Sequence, residues 1–229
     1  MPSEKEISSV IGTLKKHRNE FVVPALTEIA EKSDDPYKVL ISCILSLRTR
    51  DETTARVSVE LYKHASTPRS IANMDIRKLA SIIRPVNYYK TKAKRIKEMS
   101  RIIENKYSGK VPNDMDKLLE LKGVGRKTAN IVMVYGFRKH GLPIDTHCHR
   151  IPNRLGWVTT KTPEKTEAAL RQVIPKKYWI DFNDLFVQFG QNICTPRNPK
   201  CDKCPISKGC GYYRNNYPRI TKLITDPAR

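Results

Sequence analysis

A chain of 229 residues with 39% hydrophobic side chains is long enough to bury the core of one large domain or two small ones. Forty-three Lys and Arg against 23 Asp and Glu give a formal charge of +20, which points to a polyanionic partner, nucleic acid before any other. No apolar run approaches the roughly 20 residues needed to span a bilayer, and Met1 to Glu6 lacks the basic-then-apolar pattern of a signal peptide, so an intracellular protein of the cytoplasm or nucleoid, or of the nucleus in a eukaryote, is expected.

The elements read as helices, with strand-like alternation almost absent. Ile7, Val10, Ile11 and Leu14 recur at helical spacing, as do Ile96, Met99, Ile102 and Ile103. Asp35 with Pro36 opens a helix over Tyr37 to Leu47, Asp51 opens a run through Leu61, and Thr162 with Pro163 opens Glu164 to Val173. Turn-rich breaks fall at Ser66 to Arg69, Gly109 to Asp114 and Lys139 to Pro143. An all-α chain follows. Its last stretch, Asn215 to Arg229, is polar and basic without a clear period, and suits either a flexible arm that adds DNA affinity or a docked terminal segment.

Several short segments carry chemistry. In Asn87-Tyr88-Tyr89-Lys90-Thr91-Lys92, Tyr88 and Tyr89 are candidates to wedge into a base stack while the lysines grip the strand; core tyrosines are the alternative. Two apolar helices, Met115 to Leu121 and Lys127 to Tyr135, flank Lys122-Gly123-Val124-Gly125-Arg126. Without side chains at Gly123 and Gly125 the backbone can approach a phosphate, with the next helix N-terminus supplying amides and a favourable dipole. An isolated Gly-x-Gly is most often an ordinary turn. His147 and His149 flank Cys148 and invite a metal reading, whereas Cys148 reads better as a buried thiol than as a nucleophile, for want of an activating partner. Cys194, Cys201, Cys204 and Cys210 have six, two and five residues between them, and Cys43 and Cys148 stand apart, so a metal site in a reducing compartment fits better than a disulfide framework. Four thiolates hold either tetrahedral zinc or an iron–sulfur cluster, and spacing alone does not choose. Lys200, Lys203 and Lys208 make that loop basic enough to press on phosphates.

Taken together, Leu121 to Ala129, Leu142-Pro143-Ile144-Asp145-Thr146-His147, Ile151 to Trp157, Phe189-Gly190-Gln191 and the cysteine loop resemble the endonuclease III family of helix-hairpin-helix DNA glycosylases, over roughly residues 8 to 212. The resemblance implies a two-lobed all-α fold. A six-helix barrel lobe would span 29–137, with the hairpin at about 115–135. A second helical lobe would join 1–28 to 138–214, and 215–229 would form the tail. It implies a [4Fe-4S] cluster held by Cys194, Cys201, Cys204 and Cys210, and duplex DNA carrying a damaged base or abasic site as the partner of a monomeric enzyme.

Lys127 stands at the family's catalytic lysine and Asp145, eighteen positions on, at its carboxylate, in the cleft expected between the lobes. A neutral amine can attack the sugar carbon as the base leaves and form a Schiff base, so burial or neighbouring positive charge is expected to favour that form. Asp145 would accept its proton or stabilise the cationic sugar, and as an N-cap would also start the helix at Thr146. Taken singly, Lys127 reads equally as a phosphate contact and Asp145 as a cap alone.

Two departures bear on substrate. Lys122 replaces the usual proline. Arg48, in Leu45 to Asp51, the loop that enters the gap, replaces the glutamine of many members and suits guanine or a phosphate. The expected reaction is removal of oxidised or ring-saturated pyrimidines such as thymine glycol, followed by nicking of the strand. A mismatch glycosylase of the same fold, or a noncatalytic DNA-binding module with a zinc-filled loop, is the alternative.

Overall fold

The structure, a computed structural model, describes residues 1–21, 29 and 35–216. Its regular elements are helical, with no strand among the described residues. Contacts divide the chain into two units, one of Met1–Val22 with Ile144–Arg229 and one of Val23–Pro143. The second boundary falls at 143/144, beside the 137/138 expected, and the first lies among residues outside those described. Residues 138–143 pack with the central unit because the Asn130 carboxamide oxygen accepts the Leu142 amide at 3.0 Å and Gly141 lies against Asn130 and Val134. Residues 23–28 lie outside the described residues.

Helix α1, Glu4–Lys16, belongs to the first unit and opens on a Ser3/Glu6 capping box. Its Ile7, Ile11 and Leu14 form the buried stripe that helical spacing predicts, with Val10 at the margin.

In the central unit, α2 (Pro36–Ser46) starts where expected, Asp35 accepting the Tyr37 amide at 2.8 Å. Val39, Leu40, Ile41, Ile44 and Leu45 are fully buried, so α2 is apolar all round and forms the core that its neighbours wrap. Each such side chain contributes roughly 1.5–3 kcal/mol. Helix α3 (Asp51–His64) has Arg50 at its cap, so Asp51 is its first helical residue and acts through the helix dipole. The expected break at 66–69 is shorter than read, because Thr67 caps α4, Pro68–Asn73, through Ser70. Helix α5 (Ile76–Ile82) follows an Asp75 cap. Helix α6 (Tyr89–Tyr107) is the long strut of the unit, packing against α2, α4 and α5. α7 (Met115–Glu120) and α8 (Arg126–Ile131) flank the glycine turn, and α8 passes into a π-helical turn at Val132–Gly136 that packs on α2. Gly136 is required there, since a Cβ would meet the Pro36 backbone at 2.9 Å.

The first unit resumes with α9 (Thr146–Leu155), α10 (Pro163–Val173) and α11 (Trp179–Asn192). α11 packs on both α1 and α9. Phe182 and Phe186 stack at 4.1 Å between centroids, and Trp157 lies 5.9 Å from Phe186. Residues 211–216 form a further helical turn, so the expected irregular tail does not begin at Asn215; its remainder lies outside the described residues. No described helix is long and apolar enough to cross a membrane.

Candidate functional site

In the central unit, two loops carry Arg48 and Tyr88 outward. Both residues are exposed and both adopt left-handed backbone, φ 54° and 58°, a conformation that costs a non-glycine residue on the order of 1–3 kcal/mol and persists only where surroundings enforce it. The enforcing contacts are explicit. The Asn87 carboxamide donates to the Arg48 carbonyl, and the Asn87 amide donates to Thr49 Oγ1 at 3.3 Å. Lys92 Nζ donates to the Leu45 and Leu47 carbonyls, each at 2.7 Å, and to Thr49 Oγ1 at 3.0 Å.

This corrects the reading of 87–92 as a wedge with two gripping lysines. Lys92 is only 4% exposed and grips the neighbouring loop, and its burial pulls the ammonium down to about 8. Tyr89 is half-buried as the first residue of α6, so the aromatic pair is unequal and only Tyr88, 63% exposed, projects.

The hairpin uses its two glycines differently. Gly123 has φ 92°, and a Cβ there would meet Arg95 Cδ at 2.3 Å: the Arg95 side chain lies across the turn. Gly125 caps α8 with nothing within 4 Å of a built Cβ, which leaves the approach to the helix start open. Val124 faces inward. Its side chain is buried and its amide already donates to the Leu121 carbonyl at 2.9 Å, so it anchors the turn. Lys122, Arg126 and Lys127 are exposed, with Lys122 Nζ 3.9 Å from a Glu98 oxygen. Of the two conditions expected to favour a neutral Lys127, burial is absent, and neighbouring positive charge is supplied by Arg126 and Lys122; Lys127 stands on the first turn of α8.

In the other unit, Asp145 Oδ1 accepts the amides of His147 (2.9 Å) and Cys148 (2.8 Å), capping α9. Its second oxygen takes no part in the cap. The histidines are structural: His149 Nδ1 is 2.6 Å from Thr166 Oγ1, and His147 packs against Gly190 and Arg150. Cys148 is buried, with Asn183 Nδ2 donating to its sulfur at 3.4 Å.

Farther along α9, Arg150 donates to the Cys194 carbonyl at 2.6 Å. Arg154 donates to Cys194 Sγ (3.3 Å), the Thr195 carbonyl (2.7 Å) and the Pro196 carbonyl (2.8 Å), and stacks on Tyr212.

The four loop cysteines line one cavity with Ile151, Leu155, Phe189 and Ile206. No three His, Cys, Asp or Glu groups among the described residues are drawn together closely enough for a single ion. The four thiols share the wall of that cavity, and four thiolates are the ligand set of an iron–sulfur cluster. The donor set fits such a group. Burial pushes Cys204 up to about 12, and Cys194, Cys201 and Cys210 add to the cost of ionising it, a burden that a cationic iron core removes. Main-chain amides of Ile206 at Cys204, and of Tyr212 and Tyr213 at Cys210, already point at the sulfurs. Lys200, Lys203 and Lys208 are exposed around the loop.

Comparison with known proteins agrees with this geometry. Residues 41–176 match the HhH-GPD superfamily of base excision DNA repair proteins, and 194–210 match the iron–sulfur binding domain of endonuclease III. An endonuclease III of Thermotoga maritima is 49% identical over 183 residues, 80% of this chain and 86% of that one. The chain belongs to the endonuclease III family. As a member of that family it is a base excision DNA repair enzyme, and the loop cysteines mark the binding domain of its [4Fe-4S] cofactor.

Two endonuclease III structures match along 95% of this chain and 100% of theirs. One is a non-covalent DNA complex (TM-score 0.83, 27% identity), and the other is a trapped covalent DNA intermediate (0.81, 28%). A thermostable thymine-DNA glycosylase matches nearly as well, at TM-score 0.80 and 28% identity, over 92% of this chain and 98% of that one.

Proposed function

We propose that this endonuclease III family protein removes oxidised or ring-saturated pyrimidines, such as thymine glycol, from duplex DNA and nicks the strand through a lysine Schiff base. The observation that carries the reading is Lys127, an exposed primary amine on the first turn after a hairpin whose Gly125 leaves the main chain open to a phosphate.

The Lys127 amine attacks the sugar C1′, and the bond to the base breaks with its electron pair leaving on the base, which takes up a proton. In this reading the Asp145 carboxylate, oriented through Oδ1 by the amides of His147 and Cys148, takes up the amine's proton and stabilises positive charge as it develops on the sugar. Opening of the sugar ring forms the imine; loss of a C2′ proton then expels the 3′ phosphate, and water releases Lys127. Arg48 and Tyr88 enter the space vacated by the extruded nucleotide. Cys194, Cys201, Cys204 and Cys210 hold the cluster, which supplies a rigid centre for the basic loop when bound.

Borohydride trapping on a duplex with a single thymine glycol tests the reading. A covalent adduct is expected with the wild-type chain and not with Lys127→Ala or on undamaged DNA. Absence of any adduct from a cluster-loaded, DNA-binding wild-type protein overturns it.

A second reading, a thymine or uracil glycosylase acting opposite guanine, is favoured by Arg48, whose guanidinium suits guanine acceptors, and by the likeness to a thymine-DNA glycosylase. Base release from G:T duplexes that exceeds release from thymine glycol duplexes would select it.

A further inference from the structure

Lys92 is a lysine almost completely removed from water, and its three hydrogen-bond acceptors are two carbonyls and one hydroxyl, with no carboxylate among them. All three acceptors belong to one short segment, Leu45 to Thr49, which lies 43 to 47 positions earlier in the chain. That segment holds Arg48 in left-handed backbone, and its carbonyl at Arg48 is tied to Asn87, the neighbour of left-handed Tyr88. Burying an ammonium to shape a loop is costly, and apolar packing would stabilise a core better. What the lysine provides that an apolar side chain cannot is three fixed donors that set the path of a backbone.

We propose that Lys92 is a positioning residue, which together with Asn87 joins the 45–49 and 87–88 loops into a single preformed wedge and so sets how Arg48 and Tyr88 enter the DNA. The inference deepens the proposed function and rests on its reading that Arg48 and Tyr88 fill the vacated space. Lys92 itself touches neither DNA nor the reacting atoms. Without it, Arg48 and Tyr88 remain in the chain, but each must be ordered on the DNA at every encounter.

The test is a mutant cycle on duplex DNA carrying a thymine glycol, read by single-turnover base release and by the fluorescence of 2-aminopurine placed opposite the lesion, which rises when that base is unstacked. Lys92→Met and Asn87→Ala are each expected to lower base release about tenfold to a hundredfold, as a small misplacement does, and to reduce the fluorescence rise. In a chain already carrying Arg48→Ala and Tyr88→Ala, adding either change is expected to cost under about twofold, because residues acting through one another are not additive.

Full additivity would show that Lys92 acts only through stability and would overturn the proposal. If the Arg48→Ala, Tyr88→Ala chain keeps wild-type base release and fluorescence, the wedge reading itself fails and takes the proposal with it. If that chain is impaired while Lys92→Met and Asn87→Ala are not, the positioning role alone fails. Should Lys92→Met not fold, Asn87→Ala carries the same comparison, since Asn87 is exposed and its side chain meets only the Arg48 carbonyl among the described contacts.

Discussion

Single side chains in this protein hold two offices, and substitutions can separate them. Asp145 caps α9 through Oδ1, and its carboxylate is also the group proposed to serve the sugar. Asp145→Ala is expected to lose about 1 kcal/mol of stability, the usual worth of a cap, whereas Asp145→Asn keeps a capping oxygen and stays within about 0.5 kcal/mol. Both should lose base release about a hundredfold or more if the carboxylate stabilises developing charge. Urea melts beside single-turnover kinetics distinguish these outcomes; an active Asp145→Asn would reduce the residue to its cap.

The two hairpin glycines divide similarly. Gly123→Ala is expected to cost about 1–2 kcal/mol from its positive φ, besides displacing Arg95. Gly125→Ala should leave stability nearly unchanged but weaken DNA binding, since only the open approach is filled. Comparing melting curves with DNA titrations checks the pair.

Much at this scale was legible in the sequence. Asp35, Thr162 and Asp145 announce their helices because capping is a local transaction between near neighbours. Lys92 and Arg95 were not legible as loop and hairpin supports, because their partners lie far away in the chain. Yet Lys92 shares a helical stripe with Ala93, Ile96 and Met99, and that period was the signal that it points inward.

At the scale of elements, α6 delivers both supports: Lys92 to the 45–49 loop and Arg95 to the hairpin turn. A pH dependence belongs here. The folded chain holds Lys92 near 8, below the ordinary lysine value of 10.5, so folding pays for the charged form at lower pH. Between about 8 and 10.5 the folded chain releases this proton before the unfolded one does, and its contribution to stability rises with pH. Deprotonation simultaneously leaves two N–H groups for three acceptors. Stability measured against Lys92→Met should therefore rise through that window while duplex base release falls. A flat difference in stability would show that the ammonium is not penalised in the fold.

The helix periods and turns fixed these elements in outline, but the passage of α8 into a π turn was not visible in its apolar run. It follows from how Gly136 seats on Pro36.

For the whole molecule, a charge of +20 predicts a DNA affinity that falls steeply with salt, with a slope of about −0.9 for each phosphate neutralised. Arg126→Ala should reduce that slope by about one, uniformly across sequences, if Arg126 contacts the backbone. An unchanged slope would remove it from the interface. The all-helical class and the cysteine loop could be read before any coordinates because each is carried by a dense local pattern. The division into units could be read only approximately, since the 138–143 segment is held by Asn130, a contact that no composition shift marks.

One consequence lies in α9. A rod of ten residues, about 15 Å long, is capped by Asp145 at one end and moored to the cysteine loop by Arg150 and Arg154. If Asp145 acts as proposed, the supply of iron and sulfide to the cell becomes a limit on its capacity for repair. A polypeptide made without them is expected to keep Lys127 and the hairpin while the loop that moors α9 loses its centre, and so to occupy lesions that it clears poorly.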